Sequence, residues 1–297
     1  EPVYTIAIPF ERSVALHTAR PIRCRNGVSF AATAGRTNDT SPVGPIQVHF
    51  EVGGATAELG ESLDPAVLDD DFESGDPLVE NRGWTWYDEA SVATQTISGG
   101  DLHLVSTSGG AGGAWWYNTE NGNLLKKNVT GDFDVRVRLR VRNTAGTGSP
   151  SSAAFEWRFA GIAVHDPDRT TQFNYLHAML GADPNGQNRI EWKTTDDSVS
   201  VWDSAAGAAP LDYDLRIVRV GQVFTLSYRR TDSGETLASN VGWTAYQPID
   251  RDDNTVPARA SAVNLPSTVQ VGLTGGYAGP TNTLDIQAWF EEVLITQ

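Results

Sequence analysis

Hydrophobic and polar positions alternate with a period of two residues along much of this 297-residue chain. In segment 133–142 every second residue is apolar, and four of the intervening residues are arginines. The apolar set is Phe133, Val135, Val137, Leu139 and Val141. A helix with 3.6 residues per turn cannot place such a set on one face, whereas successive residues of a strand point to opposite faces. The pattern therefore predicts a β-strand with one buried face and one arginine-bearing face.

Similar alternation, or a short apolar run between turn residues, predicts ten further strands. They are segments 46–52, 101–107, 159–164, 175–180, 189–194, 198–203, 214–220, 223–229, 269–274 and 283–296. Asn185-Gly186 and Asp232-Ser233-Gly234 favour turns with positive φ. Gly221-Gln222 lies between two predicted strands, as in a two-residue hairpin loop. No stretch of 10–15 residues has a clear helical period, so the chain is predicted to be all-β.

Composition agrees with this prediction and excludes several classes of protein. The chain has 29 Gly, 15 Pro, 9 Trp, 8 Tyr and 10 Phe, which is typical of a turn-rich, aromatic-rich β-protein. The single cysteine, Cys24, excludes internal disulfides and cysteine-based zinc clusters. No apolar run approaches 18 residues, so we expect no membrane span. A net charge of −15 argues against binding to nucleic acid or anionic lipid.

The charge is unevenly distributed, which indicates two regions. Residues 1–60 contain five arginines and five acidic residues, so residues 61–297 carry the whole net charge. The change coincides with a glycine-containing stretch. We predict a small β-rich segment at 1–60, a linker at 61–68 and a larger domain at 69–297. Sixty residues bury little core, so the first segment is expected to anchor the protein to a neighbour, to another copy of itself or to a larger assembly.

A series of short motifs runs through the larger domain in a fixed order. The motifs lie at 70–73 (DDFE), 83–84 (GW), 100–104 (GDLHL), 131–137 (GDFDVRV), 160–164 (AGIAV), 215–219 (LRIVR), 224–228 (FTLSY), 271–273 (VGL) and 288–295 (AWFEEVLI). In this order and spacing, region 69–297 resembles the concanavalin A-like lectin/glucanase superfamily, and within it the laminin G-like domains. The resemblance implies a two-sheet antiparallel jelly-roll sandwich whose first and last strands lie close together.

Some members of that superfamily are glucanases, whose reaction needs two carboxylates on one strand face. Neither Glu-x-Asp-x-x-Glu nor Glu-x-Asp-x-Glu occurs among the 37 acidic residues. Lys193 and Thr195 stand where Glu191 would need a partner acid, and the adjacent Glu291 and Glu292 should point to opposite faces of a strand. We interpret these glutamates as solvated charges at sheet edges. No zinc-binding histidine pair, nucleophile elbow or phosphate loop occurs, so no catalytic residue and no enzymatic activity are predicted.

Clustered aromatic residues give the strongest indication of a binding site. Trp115, Trp116 and Tyr117 follow the glycine-rich stretch 109–113, and Asn118 comes next. Alternate residues of a strand face opposite ways, so at least one of these rings should be exposed. An exposed flat ring beside an amide suits a sugar, although such rings also fill or shield a sandwich. The predicted carbohydrate-binding residues are Trp115, Trp116, Tyr117, Asn118, Trp84 and Trp86.

Two carboxylate-dense segments, 69–73 and 166–168, have the composition of a calcium site. Calcium takes six to eight oxygen ligands, and many lectin-like jelly rolls hold a structural ion. The favoured interpretation is that these acids form turns and end strands. No cofactor is predicted, and no calcium ligand is assigned.

Three functions follow as hypotheses. The first is a non-catalytic, lectin-like protein that projects from a surface and binds cell-surface or polysaccharide glycans weakly and multivalently. The second is a structural virion protein, such as a phage capsid decoration or tail appendage, held to capsid or tail proteins or to its own copies through residues 1–60. The third, a glycoside hydrolase, is disfavoured because the carboxylate pair is missing. The first two are compatible, and both imply an extracellular or virion-surface location.

Overall fold

The computed structural model describes residues 22–23, 29–30, 68–73, 79–87, 92–106, 115–116, 119–120, 123–150, 157–168, 174–246, 263–278 and 286–297. The chain divides into two compact units, Glu1–Leu63 and Asp64–Gln297. In the first unit, strand β1 (Ile22–Arg23) pairs antiparallel with β2 (Ser29–Phe30). The strand predicted at 46–52 lies outside the described residues.

The second unit is built almost entirely of antiparallel strands. They are β3 (Thr85–Trp86), β4 (Val92–Ser98), β5 (Asp101–Ser106), β6 (Trp115–Trp116), β7 (Thr119–Glu120), β8 (Leu125–Thr130), β9 (Phe133–Arg142), β10 (Trp157–His165), β11 (Tyr175–Ala182), β12 (Asn188–Asp196), β13 (Val199–Ala206), β14 (Leu211–Val220), β15 (Val223–Arg230), β16 (Thr244–Tyr246), β17 (Thr268–Ala278) and β18 (Gln287–Thr296). Short 3₁₀ turns occur at Val79–Arg82 and Thr231–Ser233. Within the described residues, no helix is long and apolar enough to span a membrane.

Two seven-stranded sheets form a sandwich. Sheet I has the strand order β13-β12-β11-β10-β17-β8-β3, and sheet II has the order β16-β15-β14-β9-β18-β5-β4. The inward side chains of both sheets form one apolar cluster, which includes Ile162 and Trp192 of sheet I and Leu139 and Phe290 of sheet II. The predicted all-β, two-sheet antiparallel sandwich is therefore confirmed.

The two faces of β9 are as the alternation predicts. Its five apolar residues are at most 3% exposed. Its arginines lie on the outer face of sheet II and pair with acids. Arg138 donates to Asp214 at 2.8 Å, and Arg142 donates to Asp212 at 2.5 Å. The other strands predicted from residue 101 onward are also present, with boundaries that differ by at most four residues.

The beginning and the end of the second unit lie side by side, as the resemblance implies. The backbone N–H of Asp70 donates to Val293 O at 2.8 Å, and the N–H of Val293 donates to Asp70 O at 2.7 Å. The N–H of Ile295 also donates to Oδ1 of Asp69 at 2.7 Å. These bonds attach the entering chain to strand β18.

Strand β18 contains a β-bulge that corrects one prediction. Phe290 pairs with Leu139 and Glu292 pairs with Arg138, so Glu291 is an extra residue on β18. Phe290 and Val293 are buried in the core, and both intervening glutamates are half-buried. Glu291 and Glu292 therefore share the outer face of sheet II. The prediction of opposite faces is wrong because a bulge interrupts the period of two.

Candidate functional site

The outer face of sheet I carries a cluster of ionisable side chains. On β12, Ile190 and Trp192 belong to the core, so Glu191 and Lys193 point away from it. Tyr175 and Lys193, and likewise His177 and Glu191, approach one another across β11 and β12. All four residues are at most 2% exposed, although they lie on the outer face of the sheet. Their burial places these groups in a medium of low polarity.

Two hydrogen bonds organise the cluster. Nε2 of His177 lies 3.0 Å from Oε1 of Glu191. Nζ of Lys193 donates to the hydroxyl of Tyr175 at 2.7 Å and lies 5.0 Å from the centre of its ring. The pairs adjoin each other, since the rings of Tyr175 and His177 are 6.4 Å apart.

Burial changes the proton affinities in this cluster. Burial lowers the pKa of His177, and the neighbouring Glu191 opposes this effect only in part. Burial also lowers the pKa of Lys193 to about 7, again against the opposing charge of Glu191. Desolvation penalises the charged form of each base. The histidine is therefore neutral near pH 7, and the lysine is partly neutral.

Two polar atoms of the cluster make no hydrogen bond. Within the described residues, Nδ1 of His177 and Oε2 of Glu191 are buried without a partner. Buried polar groups are nearly always paired, because a lost hydrogen bond to water is otherwise not replaced. Both atoms thus retain an unused capacity for a hydrogen bond.

Aromatic rings lie on the same face of sheet I as the cluster, where Trp202 is paired in register with Lys193. Trp157 of β10 and Trp202 of β13 make an edge-to-face contact at 5.2 Å between ring centroids. Strands β11 and β12 lie between their strands in the sheet, so the two rings meet above these strands. Phe159 is stacked against Trp157 at 5.9 Å. Trp157 and Trp202 are partly exposed, so this pair of rings meets solvent.

The cluster lies one strand away from a sheet edge. Strand β13 is the edge strand, and its Ser204 is paired in register with Glu191. Ser200, Trp202 and Ser204 point to the outer face and are partly exposed. The face is therefore partly exposed at the strand next to Glu191.

This cluster was not predicted from the sequence, and it corrects the interpretation of Glu191. That residue was expected to be a solvated charge at a sheet edge, but it is 2% exposed and lies on an inner strand. The period-two pattern of β12 shows which residues leave the core. It does not show whether the outer face is covered. Glu291 and Glu292 are likewise half-buried on the inner strand β18, where Glu291 pairs with Arg140 at 2.8 Å.

The predicted aromatic site is described only in part. Trp115 and Trp116 form β6, which pairs with β7 through the registers Trp115–Glu120 and Trp116–Thr119. Tyr117 and Asn118 lie outside the described residues. The involvement of these four residues in sugar binding therefore remains a prediction.

The supporting role predicted for Trp84 is corrected by its burial. Trp84 is 0% exposed, its Nε1 donates to Oδ2 of Asp70 at 2.9 Å, and Nζ of Lys127 lies 4.5 Å above its ring. It therefore has no free face for a sugar. Trp86 is half-buried against the core, and its Nε1 donates to Oε1 of Gln95 at 3.0 Å.

The two carboxylate-dense segments have protein partners. Asp70 accepts hydrogen bonds from Arg82, Trp84 and the N–H of Phe72, and Oδ1 of Asp166 accepts from the N–H of Asp168 at 2.8 Å. These are the bonds of turn-forming and strand-end acids. In the part of the chain that the structure describes, no three acidic, histidine or cysteine side chains are grouped as a metal site.

Comparisons with known proteins give a likeness of fold. No protein-family model matches the sequence, and no curated protein matches it. The GH43 protein BlXynB from Bacillus licheniformis is similar, with a TM-score of 0.50 and 15% identity, over 85% of this chain and 42% of that one. A functionally unknown protein from Saccharomyces cerevisiae has a TM-score of 0.49 and 17% sequence identity, and the match covers 72% of this chain and 95% of that one. The CBM2 module of the evolved Dit of Lactobacillus casei BL23 phage J-1 has a TM-score of 0.42 and 13% sequence identity. That match covers 77% of this chain and 94% of the module.

These likenesses concern the fold alone. The match to BlXynB agrees with the sandwich that the concanavalin A-like resemblance implies, and this chain spans less than half of that protein. The narrower resemblance to laminin G-like domains remains a prediction.

Proposed function

We propose that this protein is a non-catalytic, lectin-like protein and that the outer face of sheet I is its glycan-binding site. The observation that carries the proposal is the pair of unpartnered acceptors, His177 Nδ1 and Glu191 Oε2, beside two partly exposed tryptophans. Aromatic rings pack on the C–H faces of sugars, and a few convergent polar atoms orient the hydroxyls.

Binding to this face includes a movement of a side chain beside the acceptors. Both acceptors are buried, so a sugar reaches them only when a covering side chain moves. Trp202 is suited to this because it lies on the edge strand and is partly exposed. Tryptophan fluorescence is therefore a direct reporter of binding.

The absence of catalysis is part of the proposal. Among the described outward residues of β10–β13, Glu191 is the one carboxylate. Its neighbours His177 and Lys193 are bases and cannot replace the second carboxyl group that the usual glycosidase reaction requires. Reducing-sugar release that is abolished in the E191Q variant would overturn this part of the proposal.

The experiment is a fluorescence titration with a panel of soluble polysaccharides. We expect Trp157→Ala and Trp202→Ala to weaken binding about fivefold each, since one stacked ring contributes roughly 1 kcal/mol. Trp289→Ala is the control, because Trp289 lies in sheet II, stacked on His103 at 4.5 Å. Circular dichroism verifies folding. Equal affinity of all three variants would place the site elsewhere.

An assembly role for residues 1–60 is a second, compatible proposal. The observation that favours it is the charge difference between this neutral, arginine-bearing segment and the acidic remainder. In this proposal the segment joins capsid or tail proteins or other copies of the chain, and the acidic domain projects from a cell or virion surface. Projection in many copies would make weak sugar binding effective.

A further inference from the structure

The protonation state of His177 determines what its free nitrogen can do. A carboxylate only accepts hydrogen bonds, so the contact of 3.0 Å with Glu191 places a proton on Nε2 of His177. Burial lowers the pKa of this histidine, so the ring is neutral at pH 7 and carries no second proton. Its Nδ1 is therefore a hydrogen-bond acceptor.

The two unpartnered atoms of the cluster are thus both acceptors. Oε2 of Glu191 accepts because it belongs to a carboxylate, and Nδ1 of His177 accepts because the ring is neutral. A ligand that satisfies both must bring hydrogen-bond donors. Sugar hydroxyls are donors, whereas ionised carboxylate and sulfate groups only accept.

The cations described on this face already have partners. Lys193 donates to Tyr175, Arg189 pairs with Asp183 at 2.9 Å, and Nζ of Lys126 lies 3.4 Å from the hydroxyl of Thr85. An anionic sugar beside Glu191 would bring like charges together in a medium where their repulsion is strong. The site is therefore unsuited to an anion.

We infer that the outer face of sheet I selects neutral polysaccharides, whose unsubstituted hydroxyl groups donate to Glu191 Oε2 and His177 Nδ1, over polysaccharides that carry carboxylate or sulfate groups. This inference rests on the proposed function. It adds the chemical class of the ligand and the two atoms that accept hydrogen bonds from it.

The test compares neutral and anionic polysaccharides of the same backbone. The pairs are hydroxyethylcellulose with carboxymethylcellulose and dextran with dextran sulfate, together with an array of neutral and acidic glycans. We expect at least tenfold tighter binding of the neutral member of any pair that binds, at pH 7 and in 0.15 M salt. Equal or tighter binding of the anionic member overturns the inference and leaves the proposed function standing. If no glycan binds, the proposed function itself fails.

A pair of matched variants tests the two atoms. E191Q keeps the shape of the side chain but removes its charge, and it can present an N–H where Oε2 accepts. We expect it to lose the discrimination between neutral and anionic forms and to bind the neutral form about tenfold more weakly. Glu292→Gln, on the outer face of sheet II, should change neither value. If E191Q does not fold, the matched polysaccharide pairs still decide the question with the wild-type protein, and unchanged selectivity in a folded E191Q contradicts the inference.

Discussion

Nζ of Lys193 donates a hydrogen bond to the hydroxyl of Tyr175 at 2.7 Å, and the lysine side chain that makes it is 1% exposed. A lysine ammonium in such a place has lost its water, and the hydroxyl of Tyr175 and the negative charge of Glu191 compensate only part of that loss. This explains why the pKa of Lys193 falls to about 7.

The free energy of unfolding should therefore increase as the pH rises above 7, because Lys193 loses its proton in the folded state. In the unfolded chain this lysine holds its proton up to about pH 10.4, whereas in the fold it begins to lose it near pH 7. The unfolded state thus binds more protons between these values, so the free energy of unfolding increases from pH 7 to pH 9. Urea titrations at pH 7, 8 and 9 should show this increase in wild type and a smaller one in Lys193→Met. The same increase in both proteins would contradict the assignment.

Asp70 should contribute strongly to the stability of the second unit. It accepts hydrogen bonds from Arg82 and Trp84, both largely buried, so Asp70→Ala removes the carboxylate that pairs with a buried guanidinium and a buried indole N–H. We expect a loss of about 3–5 kcal/mol in the free energy of unfolding. Asp71→Ala is the matched control, because Asp71 is exposed and should change stability by about 0.5 kcal/mol or less. Similar losses for the two variants would show that the Asp70 contacts contribute little.

The aromatic cluster predicted from the sequence can be tested against the site seen in sheet I. If Trp115 or Trp116 binds sugar, Trp115→Ala or Trp116→Ala should lower glycan affinity about fivefold. If the outer face of sheet I is the only site, both variants should bind the glycan with wild-type affinity, whereas Trp202→Ala should bind it more weakly. Parallel titrations of the three proteins with the same polysaccharide separate these outcomes.

Deletion of residues 1–60 should separate assembly from folding. The fragment 61–297 retains the two-sheet sandwich and the whole net charge of −15, so we expect it to be soluble and folded. Sedimentation of the fragment should give a monomer under conditions in which the full chain associates. An insoluble fragment, or one that still associates, would show that the assembly role does not belong to residues 1–60.

The sequence predicted the sandwich well where one strand face is apolar. Strand β9 is the best case, because its inner residues are apolar without exception. Strand β8 was missed because Lys127 occupies an inward position, where it donates to Leu68 O and covers Trp84. The bulge at Glu291 was missed for a related reason, since a period of two contains no information on an inserted residue.

The candidate site was harder to predict because it depends on contacts between strands. His177 and Glu191 are fourteen residues apart, and only the pairing of β11 with β12 brings them together. In the sequence, both residues alternate with apolar neighbours, and this pattern is the same whether the outer face of the sheet is exposed or covered. A signal that could have indicated it is the mostly apolar composition of 175–182, a segment that the structure shows to be buried at every position and thus covered on both faces.

The exchange of backbone hydrogen bonds between Asp70 and Val293 makes the second unit a candidate for circular permutation. Since the entering chain is attached to the last strand, a short glycine-rich connection from Gln297 to Leu68 should join the two ends without disturbing the sheets. New termini are best opened in the β14–β15 hairpin, where Val220 pairs with Val223 and Gly221 has φ of 60°. Such a permutant should keep the glycan affinity of the parent domain, and it would present the outer face of sheet I from a different point of attachment.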